Sequence, residues 1–171
     1  MPPAPIVRSV RCEQPWRLVA DGTRIAIDWG KARIGVAASH SGTTLAYPVE
    51  TVPAGADEFR RLVALIGEHA ARVVYVGYPL TLGGEKAIAA GFVAGKARRL
   101  ARRIAPVPVY LVDERLSTAA ASRSLGAAGR GSRRQRAVID QAAAVEILQR
   151  ALDVEERTGA PAGQQIEMED S

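Results

Sequence analysis

The order in which hydrophobic periodicities follow one another constrains this chain most. Thr23–Asp28 alternates with a period of two, Gly30-Lys31-Ala32 makes a turn, and Arg33–Ser39 is a second strand. Ser41-Gly42 turns again, and Leu45–Val52 is a third strand, interrupted by Pro48. The period then changes: Phe59, Leu62, Val63 and Ile66 recur at helical spacing within Asp57–Ala70. Arg72–Val76 is a short apolar strand ended by Gly77 and Pro79, Lys86–Ile104 a long helix, and Val107–Val112 another buried strand. Ser117–Leu125 reads as a helix, Ala128–Gln135 as a loop and Arg136–Asp153 as the last helix. This order, βββαβαβαα, predicts an α/β fold with a mixed sheet: three antiparallel strands, then strands alternating with helices on both faces.

A chain of 171 residues is long enough for one domain with a real core. Aromatic residues make up only 5%, so alanine, valine, leucine and isoleucine must build that core. Residues 1–20, with Pro2, Pro3, Pro5 and Pro15, read as a flexible arm. Residues 155–171 are acidic and read as a disordered tail, leaving 21–154 as the folded domain. The single cysteine, Cys12, excludes an internal disulfide and a multi-cysteine zinc site. No signal peptide or membrane span is evident, and the chain reads as cytoplasmic. Cys12 is expected to be a free thiol; as the alternative, it pairs with its copy in a homodimer formed through the arm.

The formal net charge is +5, and it is unevenly placed. With the five acids and one base of 155–171 set aside, residues 1–154 carry 22 basic and 13 acidic side chains, a net of +9. Twenty of the 23 bases are arginine, whose planar fork suits phosphate. A nucleic-acid partner is the natural reading of a basic body.

Three acidic positions stand where acids are expensive. In Thr23–Asp28, Ile25 and Ile27 share one face and Ala26 and Asp28 the other, so Asp28 ends its strand facing a groove. Its alternative role is to cap the turn at Gly30. Asp113-Glu114 directly follows the apolar strand, and adjacent strand residues point to opposite faces, so at most one can join Asp28. The competing role for this pair is an ion pair with Arg115 and a helix start at Ser117. Asp140 shares a helical stripe with Ala144, Ile147 and Ala151, and an inward acid needs a partner or a metal. Clustered carboxylates repel unless a divalent cation neutralises them, and oxygen-only ligands point to Mg²⁺ or Mn²⁺. Two such ions about 4 Å apart can activate water and stabilise a leaving oxygen of a phosphodiester.

Four motifs in order carry a family resemblance across about residues 23–152. Ile-Asp-Trp-Gly-Lys-Ala-Arg-Ile-Gly-Val-Ala (27–37) resembles the first motif of the YqgF/RuvX family. Val-Gly-Tyr-Pro-Leu (76–80) is similar to its Gly-x-Pro motif, and Val-Asp-Glu-Arg-Leu-Ser-Thr (112–118) to its Asp-Glu-Arg motif. Ile-Asp-Gln-Ala-Ala-Ala-Val-Glu-Ile-Leu-Gln (139–149) resembles its final helix. The resemblance implies an RNase H-like fold and an acidic centre of Asp28, the Asp113-Glu114 pair (Glu114 favoured) and Asp140. It implies a nuclease processing precursor small-subunit rRNA, or a Holliday junction resolvase by analogy to RuvC. Two positions depart from the pattern: Gly83 stands where the family often has Asp, and Ser117 replaces the first of two threonines.

Ala128–Arg136 combines glycines with Arg130, Arg133, Arg134 and Arg136 just before Asp140, and reads as a mobile phosphate clamp. Arg33 and Arg115 lie close to the acids in sequence and join the nucleic-acid-binding set. Lys96, Arg98, Arg99, Arg102 and Arg103 read as solvated residues with a weaker case for contact. Pro79–Glu85 is glycine-rich but matches no Walker pattern, and His40 and His69 read as structural. An actin-like or sugar-kinase-like ATPase needs two such domains, which this length does not supply. A non-catalytic RNA-binding assembly factor on the same fold is the other competing class. A resolvase must cut two opposed strands and therefore predicts a symmetric dimer.

Overall fold

A computed structural model describes residues 22–79, 84–114 and 133–168. The N-terminal arm with Cys12 and the expected helix Ser117–Leu125 lie outside the described residues. Strands β1 (Thr23–Trp29), β2 (Arg33–Ser39) and β3 (Ala46–Pro53) are followed by helix α1 (Glu58–Glu68) and strand β4 (Ala71–Tyr78). Helix α2 (Glu85–Ile104), strand β5 (Val109–Asp113), helix α3 (Arg133–Thr158) and strand β6 (Gln164–Gln165) complete the described elements. They form one six-stranded mixed sheet in the order β3-β2-β1-β4-β5-β6. β1 pairs antiparallel with β2 and parallel with β4, which in turn lies parallel to β5.

The expected alternation in β1 is what separates the two cores. Ile25 and Ile27 face α1 and α2 with Val74, Val76, Leu62 and Leu100. Ala26 faces α3 with Tyr75, Ala144, Ile147 and Leu148. Asp28 belongs by period to this second face, beneath α3. Pro48, whose missing N–H would break an interior ladder, sits in edge strand β3 where the β2–β3 register shifts. The alanines of α3 keep its inner face thin; Ala143, Ala144 and Ala151 are all buried.

The expectation of a disordered tail from residue 155 is corrected by the structure. α3 continues to Thr158, and residues 164–165 return as β6, antiparallel to β5. Glu155 is no solvated acid: it takes two hydrogen bonds from the Arg24 guanidinium, at 2.7 and 3.1 Å, and one from the Tyr75 hydroxyl. Arg24 extends from β1 into the interior, where the carboxylate delivered by the far end of α3 neutralises it. Ala162 and Ile166 then pack on the two cores. A two-residue edge strand carries no readable periodicity, which is why composition alone suggests a tail.

Both Arg24 and Glu155 side chains are under 10% exposed, at 7% and 9%. Glu155→Ala leaves a buried cation unpaired and is expected to lower stability by about 3–5 kcal/mol, read as a smaller urea midpoint at unchanged slope. Burial first, then the hydrogen bond to the Glu155 carboxylate, pushes the Tyr75 phenol far above its ordinary value. The folded state thus keeps a proton that the unfolded chain releases. The linked stability is present below about pH 10 and declines as pH rises beyond it. Alkaline titration of phenolate absorbance should leave Tyr75 silent until the protein unfolds.

Candidate active site

The carboxyl ends of β1, β4 and β5 lie at one edge of the sheet. Asp28, the next-to-last residue of β1, is buried at 4% exposure and pairs with Gly35 on β2. Gly35 has no side chain for a specific reason: a Cβ there would lie 2.0 Å from the backbone oxygen of Asp140. The backbone of α3 therefore rests directly on β2 beside Asp28, and Asp140 is carried to that point. Thr51 on β3 fixes the approach by donating to the Ala137 carbonyl (2.9 Å) and accepting from Gln141 (3.0 Å).

A second glycine seats the other acid. The β1–β4 register ends at Ile27 opposite Val76, so the next positions, Asp28 and Gly77, are neighbours. A Cβ on Gly77 would stand 2.5 Å from Glu114 Oε1 and 2.4 Å from Ile147 Cδ1. The Glu114 carboxylate thus lies over Gly77, under α3, and is buried at 8% exposure. Its backbone N–H donates to the Tyr78 carbonyl at 3.1 Å, carrying the β4–β5 pairing past the end of the strand.

Of the two acids the sequence left open, Glu114 shares the α3 side with Asp28. Asp113 pairs with Tyr78 and faces the opposite side, where it lines a cleft with Arg98 and Arg102. Asp140 turns its Oδ2 toward Arg33, whose Nε donates at 2.7 Å. That pair is partly open, the side chains being 33% and 18% exposed. Arg134 and Arg136 are exposed on the first turn of α3, which Arg133 opens and which contains no acid. Cations at a helix N-terminus oppose the helix dipole, so the helix gains nothing from them there. Arg115 and Arg130 lie outside the described residues.

Sequence reasoning did not single out Gly35 and Gly77 as parts of the site. The available signal was a glycine inside each strand, a position that marks a close backbone approach. Among the described residues, no three acids or histidines already stand in a metal-ligating array, and Asp140 is engaged by Arg33. The donor set itself is all oxygen. Two of its carboxylates, Asp28 and Glu114, are buried at one corner, the second over side-chain-free Gly77, an environment that suits a hard divalent cation.

The fold and this corner define an RNase H-like α/β protein with acids at the carboxyl edge of its parallel strands. In structure it is similar to T. thermophilus RuvC in complex with a Holliday junction substrate, with a TM-score of 0.54 at 18% identity, covering 82% of this chain and 98% of that one. The chain belongs to the RuvX family, described as Holliday junction resolvase, whose model matches residues 22–154. It is 50% identical over 153 residues to a protein of Thermobifida fusca, covering 85% of this chain and 96% of that protein. It is likewise 50% identical over 146 residues to a protein of Rhodococcus erythropolis, covering 82% of each. Both relatives are named as candidate pre-16S rRNA nucleases.

Gly35→Ala is expected to lift α3 from β2. The overpacking should destabilise the fold by about 1–3 kcal/mol, measured by denaturant titration.

Proposed function

We propose that this protein is a divalent-metal-dependent endonuclease that cuts phosphodiester bonds in precursor small-subunit rRNA. The observation that carries the reading is the corner where Glu114 lies over Gly77 beside buried Asp28, with Asp140 set down by α3 at Gly35. Membership of the RuvX family and the names of the relatives support the reaction class. The relatives' names favour the rRNA substrate over a DNA junction.

In this reading Asp28, Glu114 and Asp140 hold Mg²⁺ or Mn²⁺, which supplies an activated water and charge neutralisation at the phosphoryl group. Asp28 and Glu114 present their oxygens from the ends of rigid strands, so little reorganisation is needed when charge develops. Arg33 holds the Asp140 carboxylate and stands ready to take a phosphate oxygen in its place. Arg134 and Arg136, with Arg133, Arg130 and Arg115, guide the backbone toward the corner. In chemical class the protein is then a hydrolase acting on ester bonds. Among the described residues no helix is long and apolar enough to cross a membrane.

The test is cleavage with Mn²⁺ of a precursor rRNA end and of a synthetic four-way DNA junction, side by side. Cutting of the rRNA end alone is the expected result. Cutting of the junction alone would assign the resolvase reaction instead, and would require two sites in a symmetric dimer. Binding without cutting of either, by folded protein, would leave a non-catalytic RNA-binding assembly factor.

Asp28→Asn and Glu114→Gln are each expected to lower the rate on the order of a thousandfold, the several kcal/mol that metal activation supplies, with binding retained. Asp113→Asn should change it far less, since that side chain faces the other side of the sheet. Chelation of divalent ions should stop cutting, and added Mn²⁺ should restore it. Removing the Arg134 and Arg136 side chains together should flatten the salt dependence of binding by up to about 0.7–0.9 log units per log salt for each lost phosphate contact.

A further inference from the structure

The exposed surface of α2 stands apart from the rest of the molecule in charge. From Lys86 to Ile104 the helix contains no acid, and Lys96, Arg98, Arg99, Arg102 and Arg103 fall within two turns. Elsewhere four of the described arginines meet carboxylates: Arg24 meets Glu155, Arg33 meets Asp140, Arg60 meets Asp57, and Arg61 meets Glu50 and Glu68. Among the described side chains of α2 only Lys96 does so, with buried Glu58. Arg98, Arg99, Arg102 and Arg103 are exposed, and among the described residues none of them forms an ion pair. The pairs 98/102 and 99/103 are like charges one turn apart, an arrangement that costs a helix about 0.2–0.5 kcal/mol each.

Two of these cations are also held in place. The Arg99 and Arg103 guanidiniums lie over the Phe59 ring at 4.7 and 4.5 Å from its centroid, which fixes their planes. Arg98 and Arg102 line a cleft of about 830 Å³ between α2 and the strand β6. The cleft reaches Tyr78 and Asp113 at the carboxyl edge of the sheet, one residue before Glu114. Asp113 and Glu167 also line it, so an anion is favoured at its arginine side and repelled at those two positions.

We propose that this face is a second nucleic-acid site, which takes the phosphate backbone of a duplex flanking the cut segment as it passes around the carboxyl edge of the sheet. The proposal rests on the nuclease reading above and adds where the uncut part of the substrate goes. Unpaired, exposed and prearranged arginines are the chemistry that binds phosphate backbone without reading sequence. The cleft brings them to Asp113 at the carboxyl edge of the sheet, around which lies the Glu114 carboxylate on the other face.

The test is metal-free binding by fluorescence anisotropy as a function of salt, with the full chain and two probes. One probe is a single-stranded segment with a flanking duplex; the other is the same segment alone. Arg98→Gln/Arg102→Gln is expected to weaken binding of the duplex-flanked probe and to reduce its log–log salt slope by about 2, one unit for each lost phosphate contact. The short probe should bind as it does to the unmutated protein, and Arg98→Lys/Arg102→Lys should restore the slope. An unchanged slope for the flanked probe, with a folded variant, overturns the proposal. So does an equal loss on both probes, which would place the arginines at the cut segment. If the unmutated protein binds neither probe, the nuclease reading itself fails; if it binds both and the variant matches it, only the second site fails.

Discussion

At Gly35 and Gly77 two elements approach a strand to within the reach of a single methyl group. A Cβ at the first would strike the Asp140 carbonyl oxygen, and one at the second would strike the Glu114 carboxylate and Ile147. Close packing of helix on sheet leaves no slack for either. The rest of the corner depends on these contacts. They set the height of α3 above β2, and with it the distance of Asp140 from the strand end that carries Asp28. They also leave room under α3 for a carboxylate where a core would normally place a methyl group.

α3 is long, 26 residues, or about 39 Å at the usual helical rise. A helix of that length placed on a sheet could tilt. It is fastened near both ends. Thr51 bonds to Ala137 and Gln141 near its start, and Glu155 receives Arg24 and Tyr75 near its end. The second fastening buries charge, which is tolerable because the guanidinium and the phenol both donate to the same carboxylate. Stability at one end of the helix therefore holds the geometry of the acids at the other.

Charge is divided between the two sides of the sheet. The acids gather at the carboxyl edge beneath α3, and unpaired arginines cover α2 on the opposite side. A polyanion drawn to a basic body meets the acidic corner only where a cation offsets it, and such a division orients a substrate as well as binding it. Asp113 and Glu114 show how finely this is set. They are neighbours in the chain, yet one faces the arginine-lined cleft and the other the corner under α3.

The sequence by itself determined the fold class and the side of β1 on which Asp28 lies, because period-two alternation assigns every strand residue to a face. It also determined that Asp140 sits on the inward stripe of the last helix, and its motifs pointed to the RuvX family. What only the tertiary structure decided depends on contacts between residues far apart in the chain. Pattern could say that one of Asp113 and Glu114 joins Asp28, but the choice followed from where β5 ends against Tyr78 and Gly77. Composition made 155–171 a tail, since nothing local reveals that a cation on β1, 131 residues earlier, needs Glu155. As letters, Gly35 and Gly77 signalled no more than a close backbone approach. Their role exists only because another backbone and another side chain occupy the space that a Cβ would fill.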